Sequence, residues 1–159
     1  MQSDRHDFLD QVRAAFPAEP IRGDDAFSLW GGSYPDAATY KQAVDGKTWE
    51  QLDREFIVRR HDALGFLSTQ QLVQVLPVYL LSLAREGVMS PALDTVLVKL
   101  ARPTRAPARE RFDAFVVALS GPQRNVVATS LQHLTDQDPD GSPGHAARAA
   151  LDTFWKDYL

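Results

Sequence analysis

The stretch "STQQLVQVLPVYLLSLAREG", Ser68 to Gly87, decides the fold. Ser68 and Gln71 have the spacing of a capping box, in which two backbone N–H groups at a helix start find side-chain acceptors. Leu72, Val75, Leu76, Tyr79, Leu80 and Leu83 recur with the helical period and form one apolar stripe. Gly87 supplies the residue that most readily ends a helix. Pro77 lies inside, where it removes one intrahelical hydrogen bond and crowds the preceding turn, so a kink is expected between Val73 and Pro77. A bend that wraps the helix around a core explains such a kink more simply than a gate does.

Outward from this segment the same period repeats. On the N-terminal side Phe8, Leu9, Val12 and Phe16 share a face that Pro17 and Pro20 end. A turn-rich stretch follows, and after Pro35 a short helix carries Ala37, Tyr40 and Val44 up to Gly46. Thr48 and Gln51 again have capping-box spacing ahead of Trp49, Leu52 and Phe56. Phe56-Ile57-Val58 also fits a brief strand, but helix is the reading taken. On the C-terminal side Leu93, Val96, Leu97 and Leu100 form one stripe, and Phe112, Phe115, Val116 and Leu119 form another. Ser120 caps a helix with Pro122 in its first turn and Val127, Leu131 and Leu134 inward. Ala147, Ala150, Leu151, Phe154, Trp155 and Tyr158 stripe the last helix. The expectation is a single all-α domain over residues 1–159, a bundle of about seven or eight helices around one proline-kinked central helix.

In order along the chain, "GKTWEQL", the Ser68–Gly87 helix with its Leu-Pro-x-Tyr-Leu core, "LSGPQRNVVATSLQHL" and "ALDTFW" resemble a bacterial family of small helical domains of unknown function. The likeness covers residues 46 to 155 and leaves residues 1–45 as a variable N-terminal part. It implies a small helical domain and no chemistry. The residues that carry it, Trp49, Leu76, Pro77, Tyr79, Leu80, Gln123, Leu151 and Trp155, are mostly apolar and speak for packing.

Composition narrows the function classes. An apolar share of 44% and a charged share of 24% suit a globular chain, and a net charge of −4 argues against a dedicated nucleic-acid binder. With no cysteine, disulfide and thiolate chemistry are excluded. Asp4, Asp7 and Asp10 interrupt the apolar run that a signal peptide needs, and Val75 to Ala84 is too short to span a bilayer, so a cytoplasmic location is expected.

Asp136, Asp138, Asp140 and Gly141 match the first half of a calcium loop, but the twelfth position, which supplies the bidentate carboxylate, is Ala147. Turn chemistry explains the same letters, so a hinge is expected there. His61-Asp62 suggests half of a metal-dependent hydrolase pair, yet His6, His133 and His145 lack ligand spacing. Ser33 lies in no nucleophile elbow, and no phosphate-binding glycine loop occurs. No metal or cofactor is expected.

Two segments remain. "KLARPTRAPARERF", Lys99 to Phe112, sets Lys99, Arg102, Arg105, Arg109 and Arg111 against Glu110, which suits phosphates or an acidic partner. The loop from Asp24 to Tyr34 places Phe27, Leu29, Trp30 and Tyr34 on a Gly-Gly turn beside Asp24 and Asp25, a composition of aromatic anchors with an acidic rim. Folding back as a lid on the core is the competing reading. The reading taken is a cytoplasmic protein-binding domain of the bacterial immunity or adaptor kind, with Asp24, Asp25, Trp30 and Tyr34 contacting a partner of basic character. The alternatives are a hydrolase-like enzyme using carboxylates or His61 in a cleft, and a nucleic-acid contact through Arg102 to Arg111.

Overall fold

The computed structural model describes residues 2–27 and 34–159. Among the described residues eight α-helices follow one another: α1 (Gln2–Ala15), α2 (Ala37–Val44), α3 (Arg54–Arg60), α4 (Thr69–Glu86), α5 (Leu93–Leu100), α6 (Ala108–Ala118), α7 (Gly121–Gln137) and α8 (Ser142–Thr153). Short 3-10 turns join several of them. Among the described residues extended pairing is limited to one bridge between Phe27 and Leu67.

The central helix is α4. Ser68 Oγ accepts from the Gln71 N–H at 3.2 Å, and Gly87 takes a positive φ of 55° at the other end. Every residue from Val75 to Leu83 is buried, because α1, α3, α5, α6 and α7 all pack on this helix. The apolar stripe therefore marks only part of the buried surface; Pro77, Val78, Leu81 and Ser82 are inside as well. With the following turn it is long and apolar enough to cross a membrane by length and composition. Here its length is spent in the middle of a bundle.

Phe56 to Val58 lie in α3, whose start is fixed by Asp53 accepting from the Phe56 N–H at 3.0 Å. The Thr48–Gln51 pair caps a single 3-10 turn instead, with Gln51 Oε1 accepting from the Thr48 N–H. At the C-terminus α8 stops at Thr153, and Trp155 to Tyr158 form a further 3-10 turn. One continuous core runs from Phe8 to Trp155 and takes in α1 and α2 along with the helices of the resemblance.

Long-range hydrogen bonds tie the ends of the bundle. Gln123 closes a capping box with Ser120 and also donates to the Ala15 carbonyl at 3.1 Å. Trp49 Nε1 donates to the Phe16 carbonyl at 3.0 Å. Both bonds satisfy carbonyls at the end of α1, where no further turn supplies donors.

A basic and apolar cleft between the fifth and sixth helices

The turn from α5 into α6 gathers the cationic cluster, and the fold divides its members. Asp113, one turn along α6 from Arg109, lies 3.4 Å from Arg109 Nε and 3.7 Å from Arg102 Nη2. The Arg102 guanidinium also sits over the Phe154 ring at 5.0 Å, and Arg109 donates to the Pro103 carbonyl. Arg102 ties the α5–α6 turn to the C-terminal segment, and Arg109 braces the turn itself.

Lys99 and Arg111 do something else. Both line two adjoining hollows of about 310 and 330 Å3 that share Leu67 and Phe115 as apolar walls. Among the described residues neither forms a salt bridge. Burial of the Lys99 ammonium holds its pKa below the ordinary lysine value, and the nearby Arg111 guanidinium pushes it the same way. Two like charges thus converge on a half-enclosed apolar cleft, with Glu110 as an acid on the second hollow. Val98 lines the first hollow and is 78% exposed, as is Val117 near the end of α6.

The sequence signal for those two valines lies in where they fall. The buried stripe of α5 passes through Leu93, Val96 and Leu100, and that of α6 through Phe112, Phe115 and Val116. Val98 and Val117 fall off these stripes, so they are apolar side chains on faces that the bundle itself leaves uncovered. Val117 follows Ala114, a lining residue, by three positions and shares its side of α6.

The other candidate residues are placed as follows. Tyr34 is 4% exposed, stacked on Phe27 at 5.6 Å and tilted against Phe66 at 5.1 Å, with its hydroxyl donating to Asp62 Oδ1 at 2.9 Å. As a core residue it has little face to offer a partner. Asp24 is exposed and paired with Lys41, which lowers its pKa through a hydrogen bond and the ammonium charge. Trp30, Leu29 and the side chain of Asp25 lie outside the described residues.

Asp136, Asp138 and Asp140 do not share a loop. Asp136 belongs to α7 and accepts from Gln132 one turn back, at 2.8 Å. Asp138 Oδ2 accepts from the Gly144 N–H at 3.1 Å, holding the first turn of α8 against the end of α7. A Cβ on Gly144 would lie 1.6 Å from the Asp138 carbonyl oxygen, so the glycine permits the close approach. The segment is a tight turn that joins α7 to α8. His61 is exposed at the end of α3, and His133 packs edge-on against Phe8 at 5.3 Å. Among the described residues no group of three or more His, Cys, Asp or Glu is placed to hold a metal ion.

No family model, no curated protein and no solved structure matches this chain.

Proposed function

We propose that this chain is a cytoplasmic protein-binding domain of the immunity or adaptor kind, and that the Lys99–Arg111 cleft holds an acidic, apolar segment of its partner. The observation that carries the reading is that two cations, without a salt bridge among the described residues, line one cleft together with the exposed Val98. Leaving the half-buried Lys99 ammonium without a salt bridge, with the exposed Arg111 beside it, is costly for the fold alone, and a carboxylate from a partner relieves it. On a chain of net charge −4, a local basic spot steers an acidic ligand toward it. A peptide side chain such as leucine or phenylalanine beside Asp or Glu fits the hollows. Nucleic acid fits less well: the aromatic rings of the cleft, Phe112 and Phe115, are buried edges of the core and offer no stacking platform.

The test measures binding of acidic amphipathic peptides and of a single-stranded oligonucleotide to the wild-type chain and to a K99E/R111E variant. Saturable peptide binding that the variant loses supports the proposal. Oligonucleotide binding with the steeper salt dependence moves the function to nucleic acid. Binding of neither, or peptide binding that survives in K99E/R111E, overturns it. In the native cell the wild-type chain should then recover one dominant protein carrying such a segment, and K99E/R111E should not.

A further inference from the structure

A second cationic site lies elsewhere, in the hollow between α2 and α3. Arg60, the last residue of α3, is 7% exposed. Its Nη1 donates to the Arg59 carbonyl at 3.1 Å, and its Nε has no hydrogen-bond partner. Two other arginines carry an unpartnered Nε, Arg102 and Arg109, and both lie against Asp113. Among the described residues Arg60 forms no salt bridge at all. A buried guanidinium always carries its charge, and without a salt bridge it favours an anion that bonds it directly.

The hollow it lines has a volume of about 370 Å3 and is polar, with Thr39, Gln42, Lys47, Gln51 and Arg59 around it. Each of its two acids has a partner on the same wall. Asp53 accepts from the Phe56 N–H at the start of α3, and Glu55 is paired with Arg59 at 2.7 Å. Lys47, Arg59 and Arg60 outnumber Asp53 and Glu55, so the wall carries a net positive charge. The Tyr79 hydroxyl of α4 donates to the Arg60 carbonyl and fixes the backbone, while the bond from Nη1 to the Arg59 carbonyl orients the guanidinium. A fixed guanidinium fork matches the two oxygens of a phosphate or carboxylate.

We propose that this hollow binds a small polar oxyanion, the phosphate or carboxylate group of a metabolite, on Arg60 with Lys47 beside it. The volume lies near the lower end of the range for small-molecule sites, about 300–1,000 Å3, and suits a compact ligand rather than a polymer. The site stands apart from the Lys99–Arg111 cleft and does not depend on the reading of that cleft.

The experiment follows the thermal midpoint and the heat of binding with inorganic phosphate, sulfate and succinate, each at constant ionic strength set by sodium chloride. At least one should raise the midpoint saturably, as a ligand of the folded state does. R60Q should weaken that binding by roughly tenfold or more, the worth of a charged hydrogen bond, and K47Q by roughly two- to fivefold. A stronger response to phosphate assigns a phosphoryl ligand, and a stronger response to succinate a carboxylate ligand. No saturable response to any of the three, or a response that R60Q keeps, overturns the proposal. If R60Q does not fold, backbone chemical shifts of the wild-type chain decide. Changes gathered at Thr39, Gln42, Lys47 and Arg60 support the site, and changes elsewhere overturn it.

Discussion

The indole Nε1 of Trp155 donates to the Leu100 carbonyl oxygen at 2.8 Å, across 55 positions of sequence. Leu100 is the last residue of α5, where a helix leaves carbonyls without intrahelical donors. The ring is fully buried and meets Phe112, Phe154 and Tyr158 at centroid distances of 5.0 to 6.0 Å. One side chain therefore fills a cavity and ends a helix.

Trp155→Ala should cost about 3–5 kcal/mol, the range for removing a large buried aromatic. Trp155→Phe should recover most of the packing and still lack the bond to Leu100, leaving a deficit of about 1–3 kcal/mol for an unsatisfied carbonyl. Urea denaturation of the two variants measures both. A midpoint unchanged in Trp155→Ala would show that the C-terminal turn is not docked.

Helix starts and stops were legible because their chemistry is local. Ser68, Ser120, Gly46 and Gly87 act within a few residues of where they stand. The second half of a local motif was less so: Gln71 has capping-box spacing, yet its amide donates to the buried Tyr40 hydroxyl at 3.3 Å. The Asp24–Tyr34 loop was ambiguous for a physical reason, since aromatics on a glycine turn serve a lid or a surface equally well. In the basic cluster the letters showed the charges but not their division. That division depends on the α5–α6 turn, which brings Asp113 to Arg102 and Arg109 and leaves Lys99 and Arg111 on the cleft. Arg60 had a readable signal, because it follows Phe56 by four and Ile57 by three and so shares their buried face.

The acidic segment should behave as a tight turn. Asp138→Ala removes the acceptor of the Gly144 N–H and should destabilise by about 0.5–2 kcal/mol, as loss of a helix cap does. Gly144→Ala should cost about 1–3 kcal/mol because the added carbon overlaps the Asp138 carbonyl. Millimolar calcium should leave the thermal midpoint where it was, since Asp136 sits in α7 with a bond to Gln132. A calcium-dependent rise abolished by Asp136→Ala would contradict that reading.

Alkaline pH should weaken the fold through its buried phenols. Burial, followed by the hydrogen bond to Asp62, pushes Tyr34 up to about 12, and burial also raises Tyr40 and Tyr79. A phenol whose folded pKa is raised contributes its full stability below the ordinary value of about 10 and loses it as pH climbs toward the folded value. The urea midpoint should stay flat, as far as these phenols decide it, up to that ordinary value and fall between about 10 and 12. Tyr34→Phe should make the fall shallower by removing one ionisable phenol. An identical slope in Tyr34→Phe would mean that Tyr34 ionises equally easily in both states.

Lys99→Met separates what the cleft does for folding from what it does for binding. The lowered lysine pKa means that the unfolded chain holds this proton more tightly than the folded chain, so the charged amine is a burden on the fold at neutral pH. Stability should therefore rise with pH as Lys99 approaches its neutral form, a trend opposite in sign to that of the tyrosines. Methionine keeps the length of the stem, packs against Leu67 and Phe115, and ends the repulsion with Arg111. The variant should unfold within about 0.5 kcal/mol of the wild-type chain or above it. Binding of an acidic amphipathic peptide should meanwhile weaken by roughly tenfold, the worth of a hydrogen bond to a charged group. A residue retained for structure gives the reverse pattern, with stability lost and binding intact, and that outcome would remove Lys99 from the site.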